Sequence, residues 1–221
     1  MNSRGRLAWL LAGLAATITA IAGAGTSLWY ATSFGRHMHS QSQTASYAAP
    51  GQVTVRLSDG DITVTNGPSG RVQVTRLLHW SGRKPVAGER RKGGTLVISQ
   101  QCPSGFGDSC SADYTIEVPP GVALNLQTSS GDITANDTRS PELQASSDSG
   151  NIWLRFAAAP YNVWANSSSG DVTVLVPRGT GYTIHPEAPN GNSTVDIGSD
   201  PATHRSITAI SGDGNITVNY N

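Results

Sequence analysis

The sequence predicts an all-β fold, a β-solenoid-like or β-roll-like stack of rungs about 20 residues long with an antiparallel excursion, plus one N-terminal transmembrane helix. Three observations carry this prediction. A glycine followed by Asp or Asn recurs six times, as Gly60-Asp61, Gly131-Asp132, Gly150-Asn151, Gly170-Asp171, Gly191-Asn192 and Gly214-Asn215. From Gly131 onward these glycines return at a nearly constant interval, and recurrence at such a period marks stacked architectures. Apolar residues also keep a fixed phase about each glycine, which is what a shared core requires of every repeat.

In chain order, residues 1–31 read as a membrane anchor. Residues 7–31 carry no charge and are mostly apolar, with Arg4 and Arg6 before them. About 20 apolar residues span a bilayer. The arginines favour a cytoplasmic N-terminus, and Trp29 and Tyr30 suit the outer interface. The competing reading is a signal peptide cleaved near Ala22-Gly23-Ala24. One predicts a single-pass cell-membrane protein with its C-terminal domain extracytoplasmic, the other a secreted protein. Residues 32–50, with Ser40, Gln41, Ser42, Gln43, Thr44 and Ser46, read as a polar linker, and 51–221 as the repeat domain.

Each rung carries two short segments alternating with period two, the strand signal. Seven residues before the glycines stand Val53, Leu124, Leu143, Val163, Ile184 and Ile207; four after stand Val64, Ala135, Leu154, Val174, Val195 and Val218. Three after stand Thr63, Thr134, Trp153, Thr173, Thr194 and Thr217, mostly β-branched and suited to a solvent-facing strand surface. The glycine supplies positive φ, and the following Asp or Asn bonds its own turn backbone. From Asp132 the post-glycine residues run Asp, Asn, Asp, Asn, Asn in sequence order, so a ladder in that order sets no carboxylate beside another. Such a contact at roughly 5 Å costs on the order of 3 kcal/mol at an effective dielectric of 20. These residues read as turn formers. Calcium rolls use a nine-residue repeat, so their turns lie far closer together, and hard-cation cages need several converging oxygens.

Between Gly60 and Gly131 the repeat is interrupted. Val72-Gln73-Val74, Thr95-Leu96-Val97-Ile98 and Tyr114-Thr115-Ile116-Glu117-Val118 are strand-like and predict an antiparallel excursion. It carries Arg83, Lys84, Arg90, Arg91 and Lys92, which read as a solvated tip or as a contact for anionic envelope polymer or lipid. Cys102 and Cys110 frame a loop with Pro103, Gly105 and Gly107, and in an exported chain such a pair reads as a local disulfide.

Chemistry-bearing motifs are lacking. Charged residues are only 14% and the formal net charge is zero, which gives no basic footprint for nucleic acid. His37-Met38-His39 has no third metal ligand nearby. No Gly-x-Ser-x-Gly elbow and no phosphate-cradling loop occurs. The reading is a non-enzymatic protein with no cofactor, no catalytic residue and no metal site. The candidate surface contacts are Trp153, Trp164 and His185; in sequence-order stacking the last two adjoin on one outward ladder.

The Tyr-Thr-Ile-Glu-Val-Pro-Pro-Gly stretch at 114–121, followed by phased Ser-Gly-Asp-Ile/Val turns, resembles one family. It is the bacterial putative-adhesin β-strand-repeat family of unknown function, and the similarity covers roughly Val53 to Tyr220. The resemblance implies an all-β, solenoid-like fold, commonly behind one N-terminal membrane segment, and carries over no catalytic residue. Pro186 and Ser193 depart from the pattern, which makes the rung around Gly191 irregular, and the cysteine pair is not a general family feature. Two function classes follow. One is an adhesion or binding module for a cell-envelope polymer or protein; the other is an accessory of an envelope-stress or signalling system acting through a membrane-protein partner.

Overall fold

The computed structural model describes residues 38–103 and 109–221. The expected membrane segment lies outside the described residues, and among those no helix is long and apolar enough to cross a membrane. Every regular element among the described residues is a strand: β1 (His39–Ala48), β2 (Gln52–Leu57), β3 (Ile62–Asn66), β4 (Arg71–Ser81), β5 (Val86–Lys92), β6 (Thr95–Gln101), β7 (Ser109–Val118), β8 (Ala123–Ser130) and β9 (Ile133–Thr138). Then come β10 (Glu142–Ser149), β11 (Ile152–Phe156), β12 (Asn162–Ser169), β13 (Val172–Val176), β14 (Thr183–Glu187), β15 (Ser193–Val195), β16 (Ser206–Asp213) and β17 (Ile216–Tyr220).

The strands form two sheets. A nine-stranded sheet runs β1-β4-β7-β3-β9-β11-β13-β17-β15, and an eight-stranded sheet runs β14-β16-β12-β10-β8-β2-β6-β5. Each repeat contributes its first strand to the eight-stranded sheet and, through the glycine turn, its second to the nine-stranded sheet. Equivalent strands pair in parallel and in register, so the repeated turns are not hairpin tips. Equal phases therefore become columns. Leu96, Val53, Leu124, Leu143, Val163, Ile207 and Ile184 form one buried column; Tyr114, Ile62, Ile133, Ile152, Val172 and Ile216 form the facing one. Each such side chain contributes about 1.5–3 kcal/mol by leaving water.

The order of strands differs from sequence order at one end. β16 and β17 pair with β12 and β13, and β14 and β15 lie outside them as the terminal rung. Pro186 in β14 is exposed on that edge strand, where its missing N–H costs no ladder bond. At the opposite end the interior closes on a polar contact: Arg76 of β4 meets Glu89 of β5 at 2.8 Å, bridging the two sheets. Beneath it lies Tyr114, whose hydroxyl is pushed up to about 12, first by burial and then by the Glu89 carboxylate.

Two sequence expectations are corrected. The polar stretch at 32–50 is not a linker over 39–48, which form β1, antiparallel to β4. Its Ser, Gln and Thr side chains are polar on both faces, so no alternation betrays the strand; the long edge of β4 holds it. The excursion is antiparallel only in part. β1, β4 and β5 pair antiparallel, but β6 and β7 pair in parallel with β2 and β3 as a seventh rung.

Candidate functional site

At the glycine turns one chain of hydrogen bonds runs from rung to rung. The Oδ1 of Asp113 accepts the Asp61 N–H at 3.1 Å, that of Asp61 the Asp132 N–H at 2.8 Å, and that of Asp132 the Asn151 N–H at 2.7 Å. The series continues from Asn151 to Asp171 at 2.9 Å, Asp171 to Asn215 at 2.7 Å and Asn215 to Asn192 at 3.1 Å. These side chains thus serve the neighbouring turn rather than their own. From Asp132 onward no carboxylate adjoins another, as expected, whereas before it Asp113, Asp61 and Asp132 are consecutive because β6–β7 is a rung. Burial, then Asp113, then Asp61 raise the nearby Asp59 carboxyl above its ordinary value. Among the described residues no group of three or more His, Cys, Asp or Glu is placed to hold a metal ion.

A second column underlies the first. Buried Thr128, Ser147, Ser167 and Ser211 donate their hydroxyls to the carbonyls of Gly60, Gly131, Gly150 and Gly170 at 3.0, 2.9, 2.7 and 2.8 Å. The sequence reading missed this column, although each residue stands three before a repeat glycine. Positive φ holds at Gly60, Gly131, Gly150 and Gly170 but not at Gly191 and Gly214. Close approach is common to all six: a Cβ on Gly191 would overlap the Gly214 carbonyl oxygen, and one on Gly214 would overlap that of Gly170.

The interrupted rung is bridged by a Cys102–Cys110 disulfide between the ends of β6 and β7. Gln100, 2% exposed, fastens it by donating Nε2 to Cys102 Sγ at 3.1 Å while its Oε1 accepts the Ser58 N–H at 3.1 Å.

The outward faces carry the aromatic candidates. On the nine-stranded sheet one register reads Thr44, Thr75, Thr115, Thr63, Thr134, Trp153, Thr173, Thr217 and Thr194 from edge to edge. Trp153 is the sole interruption of this threonine ladder and is 45% exposed. Two residues on, Arg155 shares its face and pairs with Asp137 at 3.2 Å. On the other sheet Trp164 is half-buried between Gln144 and Thr208. His185 is exposed beside Thr208, so Trp164 and His185 do not adjoin; the exchanged order of the last two rungs separates them.

Several solved structures are similar to this chain, and the first named here shares its fold. A putative cell adhesion protein from Clostridium sporogenes is 15% identical, with a TM-score of 0.60 over 83% of this chain and 100% of its own. A putative adhesin from Bacteroides fragilis is 14% identical with a TM-score of 0.38, over 82% of this chain and 97% of its own. A putative lipid binding protein from Parabacteroides distasonis is 11% identical with a TM-score of 0.28, over 83% and 97%. No curated protein matches. A family profile spans residues 40–219, nearly the whole of the two sheets, and the chain belongs to the Toastrack DUF4097 family.

Proposed function

We propose that this protein is a non-enzymatic binding module, a β-solenoid-like domain held outside the cytoplasmic membrane by its N-terminal segment, with an envelope glycan as its ligand. The observation that carries this is Trp153, exposed in the middle of a threonine ladder that spans all nine strands. Threonine alone suits a solvated sheet face. A single large ring there lies outside the hydrophobic core, and exposed Trp is a common anchor, apolar on its face and polar at its edge. Hydroxyls on both sides offer donors and acceptors to sugar hydroxyls. The adhesion name of the Clostridium sporogenes neighbour agrees in kind with a binding role.

Trp153→Ala and Trp164→Ala separate contact from packing, scored for unfolding free energy and for retention on purified cell-wall glycan. Trp153→Ala is expected to leave stability within about 0.5 kcal/mol and to weaken retention about tenfold or more. Trp164→Ala is expected to lower stability and leave retention unchanged. Lost stability with unchanged retention at Trp153 would sink the reading.

A further inference from the structure

We propose that the outer face of the eight-stranded sheet holds a second binding site, for the carboxylate or phosphate groups of an anionic polymer, in the groove between Arg56 and Arg90. The site deepens the reading of a polymer-binding module yet lies on the opposite sheet from Trp153, so each stands or falls separately.

The groove arises from one residue. Gly88 of β5 stands opposite Ser99 of β6, which stands opposite Arg56 of β2. Where neighbouring outward positions carry side chains, Gly88 carries none, and a groove of about 560 Å³ opens above it, lined also by Gln101 and Ser129. Arg56 and Arg90 face outward on its two flanks, two strand spacings and one pleat apart, roughly 12 Å between Cα atoms. That separation suits two successive acidic groups of a chain better than one small ion.

Both cations are available. Arg56 commits only Nε, donating to Gln127 at 3.0 Å. The Arg90 guanidinium makes no hydrogen bond or ion pair among the described residues. The one carboxylate in the lining, Glu89, is held on the inner side by Arg76 at 2.8 Å and is thereby neutralised. Hydroxyls and amides share the rest of the lining with Leu57 and Val97, so the two guanidinium groups are what select an acidic ligand. Guanidinium groups bind carboxylate and phosphate by charge-assisted hydrogen bonds.

The test measures binding of the full chain to polygalacturonate, to polyphosphate, to neutral dextran and to vesicles rich in anionic phospholipid. Gly88→Glu is the sharpest variant, because an added Cβ there meets nothing within 4 Å and the φ is unstrained, so the carboxylate fills the groove without disturbing the sheet. Arg56→Gln with Arg90→Gln is the second, which keeps the test open should Gly88→Glu fail to fold; melting temperatures report on both. At least one polyanion is expected to bind, the polymer that binds naming the acid group, and dextran is not. Each variant is expected to weaken that binding about tenfold or more, and 1 M salt, with a Debye length of about 3 Å, to abolish it. Trp153→Ala should leave it unchanged. The proposal is overturned if neither polyanion binds, if folded Gly88→Glu binds like the wild type, or if only the vesicles bind. Loss of polyanion binding in Trp153→Ala alone would likewise remove the groove and leave the threonine face as the sole site.

Discussion

A side chain at position 150 has nowhere to go. The φ of Gly150 is 149°, and a Cβ there would overlap the carbonyl oxygen of Gly131. Gly150→Ala is therefore expected to cost more than about 2 kcal/mol, read from urea unfolding. Gly88→Ala, where the added methyl meets open space, serves as the neutral control. A loss at position 150 no larger than that of the control would contradict the close approach of the turns. The glycine column was legible in the sequence because, at the six repeat turns, an added Cβ would overlap a neighbouring backbone. The hydroxyl column was not. Thr128, Ser147, Ser167 and Ser211 fall on the inward parity of their strands, but a serine reads as solvent-facing until its partner carbonyl is known. The role of the Asp and Asn residues was half legible: their turn position follows from the glycine, whereas the acceptor geometry that serves the next rung depends on stacking.

Among the elements, the rung of β6 and β7 shows how a repeat can hide. It keeps the phase, with Asp113 one residue and Thr115 three residues after the turn, but Ala112 replaces the glycine and the disulfide-bridged loop precedes it. The Cys102–Cys110 bridge was readable from spacing and the expectation of export; its role as the clasp of a displaced rung was not. Chain entropy for a loop this short assigns the bridge about 2.5 kcal/mol. Cys102→Ser with Cys110→Ser is expected to lower unfolding free energy by about that amount, as is reduction by dithiothreitol. An unchanged unfolding free energy would show that the packing of Gln100 and Ser58 holds the rung without the bond. The β1 strand lay beyond sequence reading for the opposite reason, since its partner β4 rather than its own pattern makes it a strand.

Across the whole molecule a formal net charge of zero conceals a division. Arg56 and Arg90 face outward from the eight-stranded sheet, while Asp59, Asp61, Asp113 and Asp132 gather along the turn edge of the same end. The Asp59 carboxyl is raised in the fold, so its protonated form is favoured there. Its contribution to stability is fully present below the ordinary carboxylate range and is lost as pH rises through the folded value. Stability from this group thus increases on acidification from neutral pH. Asp59→Asn is expected to raise unfolding free energy at pH 7 by less than about 1 kcal/mol, given solvent screening, and to flatten the acid side of the profile. A lower stability at pH 7 would reverse the sign and refute the assignment. The exchange of the last two rungs could not be foreseen, because any rung of this phase fits any other. That exchange also sets a timetable. A chain emerging from the ribosome delivers β14 and β15 before the strands they rest on exist, so this end must wait until β16 and β17 have been made and docked. Synthesis of β16 and β17, rather than local folding, is what lets the last rung close, and a chain interrupted before them would leave the Val163 and Val172 columns open to water.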